Sequence, residues 1–159
     1  MWKDVRDSEN YEVNEKGQIR NKNTQRILMP SANGLGTLKV ILSEDGVHVN
    51  RTVARTVGEA FVDGYEEGFV IFFNDDDGFN VAASNLQWRP RWFAQEWAYQ
   101  LKRTEPMRPW PIVRNLTGVV YKNSLDCAKE TWAIEKYIVF ACGRGDTIYN
   151  GSTYQWIRE

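Results

Sequence analysis

The 159-residue chain holds two cysteines and one histidine. Cys127 and Cys142 sit inside apolar patterns without metal-ligand spacing. That excludes a thiolate metal knuckle and leaves reduced, buried thiols as the expectation, with a disulfide the minor alternative. Long apolar runs are missing: "FVIFF" and "YIVFAC" are the longest, far too short to cross a bilayer, so no membrane partner is expected. The opening "MWKDVRDSENYEV" lacks the apolar stretch of a secretory signal, and a cytoplasmic protein is expected. There is no internal repeat and no low-complexity stretch. What is present is core material. Hydrophobic residues make up 42% and aromatics 13%, which excludes a disordered chain. The length allows one domain or two small ones.

The net charge of −1 hides an uneven distribution. Residues 1–88 carry nine Lys/Arg against fourteen Asp/Glu, residues 89–115 six against two, and residues 116–159 five against five. An acidic front, a basic connector and a neutral tail follow one another.

The front reads as β. "YEVNEKGQIR" is a strand, a turn at Glu15-Lys16-Gly17 and a returning strand. "GTLKVILSEDGVHVNRTV" is a second hairpin, with alternation at Leu38, Val40 and Leu42 and a turn at Asp45-Gly46. "RTVARTVGEAFV" switches to helical spacing, with Val53, Val57, Ala60 and Phe61 on one face. A strand Phe69–Phe73, a turn Asn74–Gly78 and a helical turn from about Val81 follow. In the connector, Phe93, Trp97 and Leu101 share a helical face, and "EPMRPWPIV" is extended by its prolines. In the tail, Ser124 is expected to cap a helix of roughly Leu125–Thr131. A break near Trp132-Ala133 and a helix of about Ile134–Cys142, stopping at Gly143, make a helix-turn-helix. "TYQWI" closes the unit with a strand.

These parts, in this order, resemble phage-type HNH homing endonucleases over nearly the whole chain. "MWKDV…YEVNEKGQIR…GTLKVIL" is similar to the nuclease-associated β module of that family. "VARTVGEAF" is similar to its helix V-H-R-L-V-A-x-A-F. "NDDDGFNVAASNLQW" is similar to its H-x-D-G-N-x-x-N-N-x-x-x-N-L-x-W. Val120 to Trp156 is similar to its DNA-reading helix-turn-helix module. The resemblance implies an α+β fold with an HNH-like (ββα-metal type) N-terminal domain, a helical then extended basic connector and a small helix-turn-helix. In segments these are a β module over 1–50, the HNH-like core over 51–88, the connector over 89–115 and the helix-turn-helix over 116–159. It also implies an infected bacterial host cell as the setting.

The departures fall on the chemistry. The family histidines fall on Ala54 and Phe73, a possible metal ligand on Phe72, the Asn of D-G-N on Asp77 and the second paired Asn on Val81. Asp75, Asn80, Asn85 and Trp88 survive; Asn80 and Asn85 still look like site positions, and Asn85 can equally pin the local turn. Phosphodiester hydrolysis in such a site needs a base for water and a divalent metal for the leaving oxygen. Losing a positioned base costs ~10²–10⁴-fold. Neither is expected here. No catalytic residue, metal site or cofactor is assigned, with Mg or Mn entering only if residual nicking survives. His48 reads as an exposed strand histidine or, less simply, a base. Asp75, Asp76 and Asp77 read as a solvated turn or a hard-cation site.

Binding is the function left. For DNA, the first choice of partner, Arg89, Arg91, Lys102, Arg103, Arg108 and Arg114 are candidates to neutralise phosphates. Glu135, Lys136, Tyr137 and Arg144 are candidates for groove contacts. The alternative is that the connector packs back on the acidic front. Glu59, Asp63, Glu66, Glu67, Asp75, Asp76 and Asp77 crowd the core segment, and suggest either a solubilising face or contact with a host protein of basic surface. Trp2, Trp88, Trp132 and Trp156 are expected in the core. Trp92, Trp97 and Trp110 can stack on bases, anchor a partner or bridge domains.

Overall fold

The computed structural model describes residues 1–157. It divides into two compact units, Met1–Ala94 and Gln95–Glu159. Among the described residues it is a mixed α/β structure of four α-helices and small antiparallel sheets.

In the first unit, β1 (Trp2–Asp4), β2 (Tyr11–Asn14) and β3 (Ile19–Asn21) form one sheet, with Val13 opposite Ile19. A second sheet holds β4 (Ser31–Ala32), β5 (Leu38–Glu44) and β6 (Val47–Thr52). Its hairpin turns where expected. Asp45 and Gly46 have φ of 49° and 82°, the pair of positive values that a tight two-residue turn requires. The alternation in β5 buries Val40 and Leu42 against helix α1 (Val53–Phe61). That helix closes over the sheets because Val53, Ala54 and Val57 share one face and are buried. Each valine so buried stabilises by roughly 1.5–3 kcal/mol.

Strands β7 (Phe69–Phe73) and β8 (Leu86–Pro90) pair antiparallel, Phe73 opposite Leu86. A 3-10 turn at Ala83–Asn85 leads into β8, slightly later than the sequence reading placed its helical turn. Gly58 lets α1 approach this hairpin. A Cβ there would lie 2.3 Å from Ile71 Cδ1 and 3.1 Å from Trp88 Cζ2.

Helix α2 (Arg91–Leu101) contains the division between the units. In the second unit, β9 (Ile112–Arg114) is the centre of a sheet between β10 (Val120–Tyr121) and β11 (Tyr154–Trp156). Helices α3 (Ser124–Glu130) and α4 (Glu135–Arg144) pack on it around Ile112, Cys127, Ala128, Ile138 and Tyr154. Trp97 stacks on Trp132, ring centroids 5.1 Å apart.

Two details correct the sequence reading. The cap of α3 is Asn123, whose Oδ1 accepts from Asp126 N at 2.9 Å. Ser124 is buried one residue further in and spends its hydroxyl elsewhere. Helix α4 runs through Gly143 and ends at Gly145, whose φ of 74° gives the left-handed cap. The break between the helices is at Trp132, at φ 54°.

Candidate functional site

Ala54 comes from α1 and Phe73 from the end of β7, and both line one cleft of about 240 Å³ in the first unit. Thr52, Arg55, Ile71 and Trp88 are among its other walls. Ala54 is 1% exposed and belongs to the core; Phe73 packs against that core. Phe72 points the other way from the strand, is buried, and meets Phe93 edge-on at 5.6 Å. Among the described lining residues, Arg55 alone has an ionisable side chain. A guanidinium does not give up its proton in proteins, so it is no base. Ala54 and Phe73 offer no ligand atom to a divalent ion, and the oxygen-bearing side chains among the described walls are the neutral hydroxyls of Thr37 and Thr52, with no carboxylate or imidazole beside them. The donor set around this cleft does not fit one.

The acid-rich turn is organised by its own hydrogen bonds. Asp75 Oδ2 accepts from Asn80 Nδ2 at 2.7 Å, and Oδ1 accepts from Asn85 Nδ2 and from Asp77 N, each at 2.9 Å. Asn85, buried, also takes Asp75 N at 3.1 Å and gives Asn80 O a bond at 2.8 Å. These bonds, Asn80's first, hold the Asp75 carboxyl below its ordinary range. Asp77 accepts from Phe79 N at 2.9 Å. Gly78 is pressed on the loop before β5, where a Cβ would lie 2.2 Å from Gly36 O. Val81 is buried in the core. Among the described residues, no group of three or more His, Cys, Asp or Glu side chains is placed to hold a metal. His48 is exposed on β6, opposite Ser43.

The acidic set separates into two kinds. Glu59 is taken by Arg55 at 2.9 Å, with its side chain 9% exposed. Asp63, Glu66, Glu67, Asp76 and Asp77 are exposed.

The cations separate likewise. Arg89 gives Nη2 to Gln87 Oε1 at 2.7 Å and lies 5.1 Å from the Phe93 ring centre. Arg103 gives Nη1 to Glu135 Oε2 at 2.6 Å. Arg114 gives Nε to Ser152 Oγ at 2.8 Å. Lys136 pairs with Glu96, which raises its pKa. Tyr137 meets Tyr149 edge-on at 5.8 Å. Arg91, Lys102, Arg108 and Arg144 are exposed, Arg108 with Nη1 on Met107 O at 3.3 Å and its guanidinium 5.7 Å from the Trp110 ring centre. Phe140, 60% exposed, lies on α4 midway between Lys136 and Arg144, and the sequence reading passed over it because a phenylalanine in an apolar run looks like core.

Glu135 corrects the expectation of a groove contact. It is 1% exposed at the start of α4, and its Oε1 accepts from Ser124 Oγ at 2.5 Å and from Met107 N at 2.6 Å. Its own N–H goes to Gln100 Oε1 at 2.7 Å. With Arg103 on the other oxygen, this carboxylate pins the connector to the helix start. Trp88 is buried as expected, Trp2, Trp132 and Trp156 are half-buried, and Trp97 joins the core of its own unit. Trp92 and Trp110 are 42% and 54% exposed.

Among solved structures, the chain is similar over its whole length to the HNH homing endonuclease I-HmuI, in a study of DNA binding and cleavage. The TM-score is 0.57 at 20% sequence identity, covering 100% of this chain and 99% of that one. At that identity the likeness is one of fold. No protein-family model and no curated protein matches the chain. Among the described residues, no helix is long and apolar enough to cross a membrane.

Proposed function

We propose that this chain is an HNH-endonuclease-like protein that holds DNA without cutting it. The observation that carries this is the meeting of Ala54 and Phe73 in one cleft whose described walls offer no base. Hydrolysis there would lack both the proton acceptor and the metal ligands that the chemistry needs. The neighbour in fold is described as binding and cleaving DNA. Binding survives the loss of a base, because it rests on charge and shape. Arg91, Lys102, Arg108 and Arg144 supply exposed cations for phosphates, and α4 offers Phe140 for apolar contact with a thymine methyl.

The test incubates purified protein with supercoiled plasmid and Mn²⁺ over a salt series. Retardation that weakens steeply with salt, without relaxed circles, is the expected result. Nicks that vanish on Asp75→Asn or Asn80→Ala would overturn the reading, as would no retardation at low salt.

The exposed acids favour a second reading, binding to a basic protein surface. Asp63, Glu66, Glu67, Asp76 and Asp77 are in no ion pair among the described residues. That reading requires a complex that survives nuclease treatment and weakens when Asp76 and Asp77 become Asn.

A further inference from the structure

We propose that a polar cleft formed by Arg6, Arg51 and Arg55 on the first unit is a phosphate site, filled by the backbone of bound DNA. Naming DNA as the source rests on the reading above; the anion chemistry does not.

The cleft measures about 420 Å³, and Asp7, Glu59 and Tyr65 also line it. It gathers three of the nine Lys/Arg of residues 1–88, on a segment that carries fourteen acids. Its two carboxylates do not neutralise it. Asp7 Oδ2 is 3.9 Å from Arg6 Nε, with side chains 74% and 59% exposed, so Arg6 is weakly engaged. Glu59 takes one N–H of Arg55, at Nε, while a guanidinium presents five. Arg51 gives Nη2 to Arg6 O at 3.4 Å, and its Nε is a buried donor with no hydrogen-bond partner. A buried donor left unpaired costs stability, which leaves Arg51 under-bonded beside the cleft it lines. Guanidinium forks match phosphate oxygens two at a time, which suits this cluster to phosphate rather than to a small neutral ligand. Thr52 and Arg55 line both this cleft and the one over Ala54 and Phe73. A strand lying across the hydrocarbon cleft therefore brings a phosphate to the arginines beside it.

The test uses the full chain and two probes. The first is a duplex of about 20 base pairs, with dissociation constants measured over a salt series. Neutralising one phosphate contact lowers the slope of log K against log salt by about 0.9. Arg6→Gln with Arg51→Gln is expected to lower it by about that much and to weaken binding about tenfold at low salt. Asp7→Asn, which removes a repelling charge, is expected to tighten binding. Asp7 sits at φ 58°, a conformation that Asn tolerates, so this variant serves even if the double variant fails to fold. The second probe is inorganic phosphate, followed through the arginine Nε–H signals by NMR. Shifts in those signals together with the altered slope support the proposal. Shifts with an unchanged slope overturn DNA as the source and leave a free-phosphate site. No shifts and an unchanged slope overturn the site itself. If the native protein does not bind the duplex at all, the DNA reading fails and the phosphate titration alone decides the cleft.

Discussion

Asn85 and Asp75 hold each other twice. The Asn85 side chain accepts from the Asp75 backbone N–H at 3.1 Å and donates to the Asp75 carboxylate at 2.9 Å. The polar residues that match the resembled HNH pattern are thus tied to one another. Together they shape the turn that joins β7 to β8, beside the cleft that Phe73 lines.

Removing that tie is expected to loosen the hairpin. Asn85→Ala empties a buried position and leaves the Asp75 backbone N–H and the Asn80 carbonyl short of a partner. The expected cost is about 1–3 kcal/mol. Thermal denaturation should show a Tm lower by about 2–4 °C per kcal/mol. An unchanged Tm would mean that water serves these groups as well as the amide does.

Acid should act on the same turn. The Asp75 carboxyl is held below its ordinary value by its bonds to Asn80, to the Asp77 backbone and to Asn85. A group whose folded pKa is depressed contributes stability above its unfolded pKa, here about 3.8, and loses it as pH falls through the folded value. Urea unfolding at a series of acid pH values should therefore show a steeper decline in the native protein than in Asp75→Asn. Equal slopes would show that the carboxylate gains nothing from its donors.

In the second unit, Glu135→Ala should be severe. It strips Arg103 of its partner at 2.6 Å and leaves Met107 N and Ser124 Oγ facing a void. The carboxylate is the buried partner and the Arg103 side chain left behind is 27% exposed, so the cost is expected below the about 3–5 kcal/mol of a fully buried pair broken from one side. Chemical denaturation measures this, and Glu135→Gln, which keeps the shape, should recover part of the loss. A loss within about 0.5 kcal/mol, the range of ordinary surface changes, would contradict the geometry.

The thiols should be quiet. Burial pushes both Cys127 and Cys142 up to about 12, so neither ionises near neutrality. Labelling by a thiol reagent at about pH 8 is expected to wait for unfolding and to become rapid in denaturant. Immediate labelling of Cys127, which is buried, would show an opening that the packing does not suggest; Cys142 is half-buried, so only its high pKa slows its labelling.

The hairpin at Asp45-Gly46, the buried face of α1 and the two tail helices were legible in the sequence because each rests on local rules. Turn φ values, a period of two and a period near 3.6 are all written within a few neighbouring residues. The end of α4 was less so: "CGRG" offers two glycines, and only the observed backbone shows that Gly145, not Gly143, takes the left-handed turn. Glu135 was misread for a related reason. An acidic residue at a helix start is ordinarily a solvated one that favours the helix dipole, and nothing nearby announces that Arg103 will meet it across thirty-two residues.

By itself the sequence determined which side chains stand at the positions matched to the resembled HNH pattern: Ala54 and Phe73 against its histidines, with Asp75, Asn80 and Asn85 like its polar residues. Tertiary structure decided what those substitutions mean in space. It brought Ala54 and Phe73 to one cleft, turned the three polar residues on one another, and separated exposed cations from those already engaged. Side-chain identity is local information, whereas the partner of a charge or a hydrogen-bonding group is fixed only when distant segments pack.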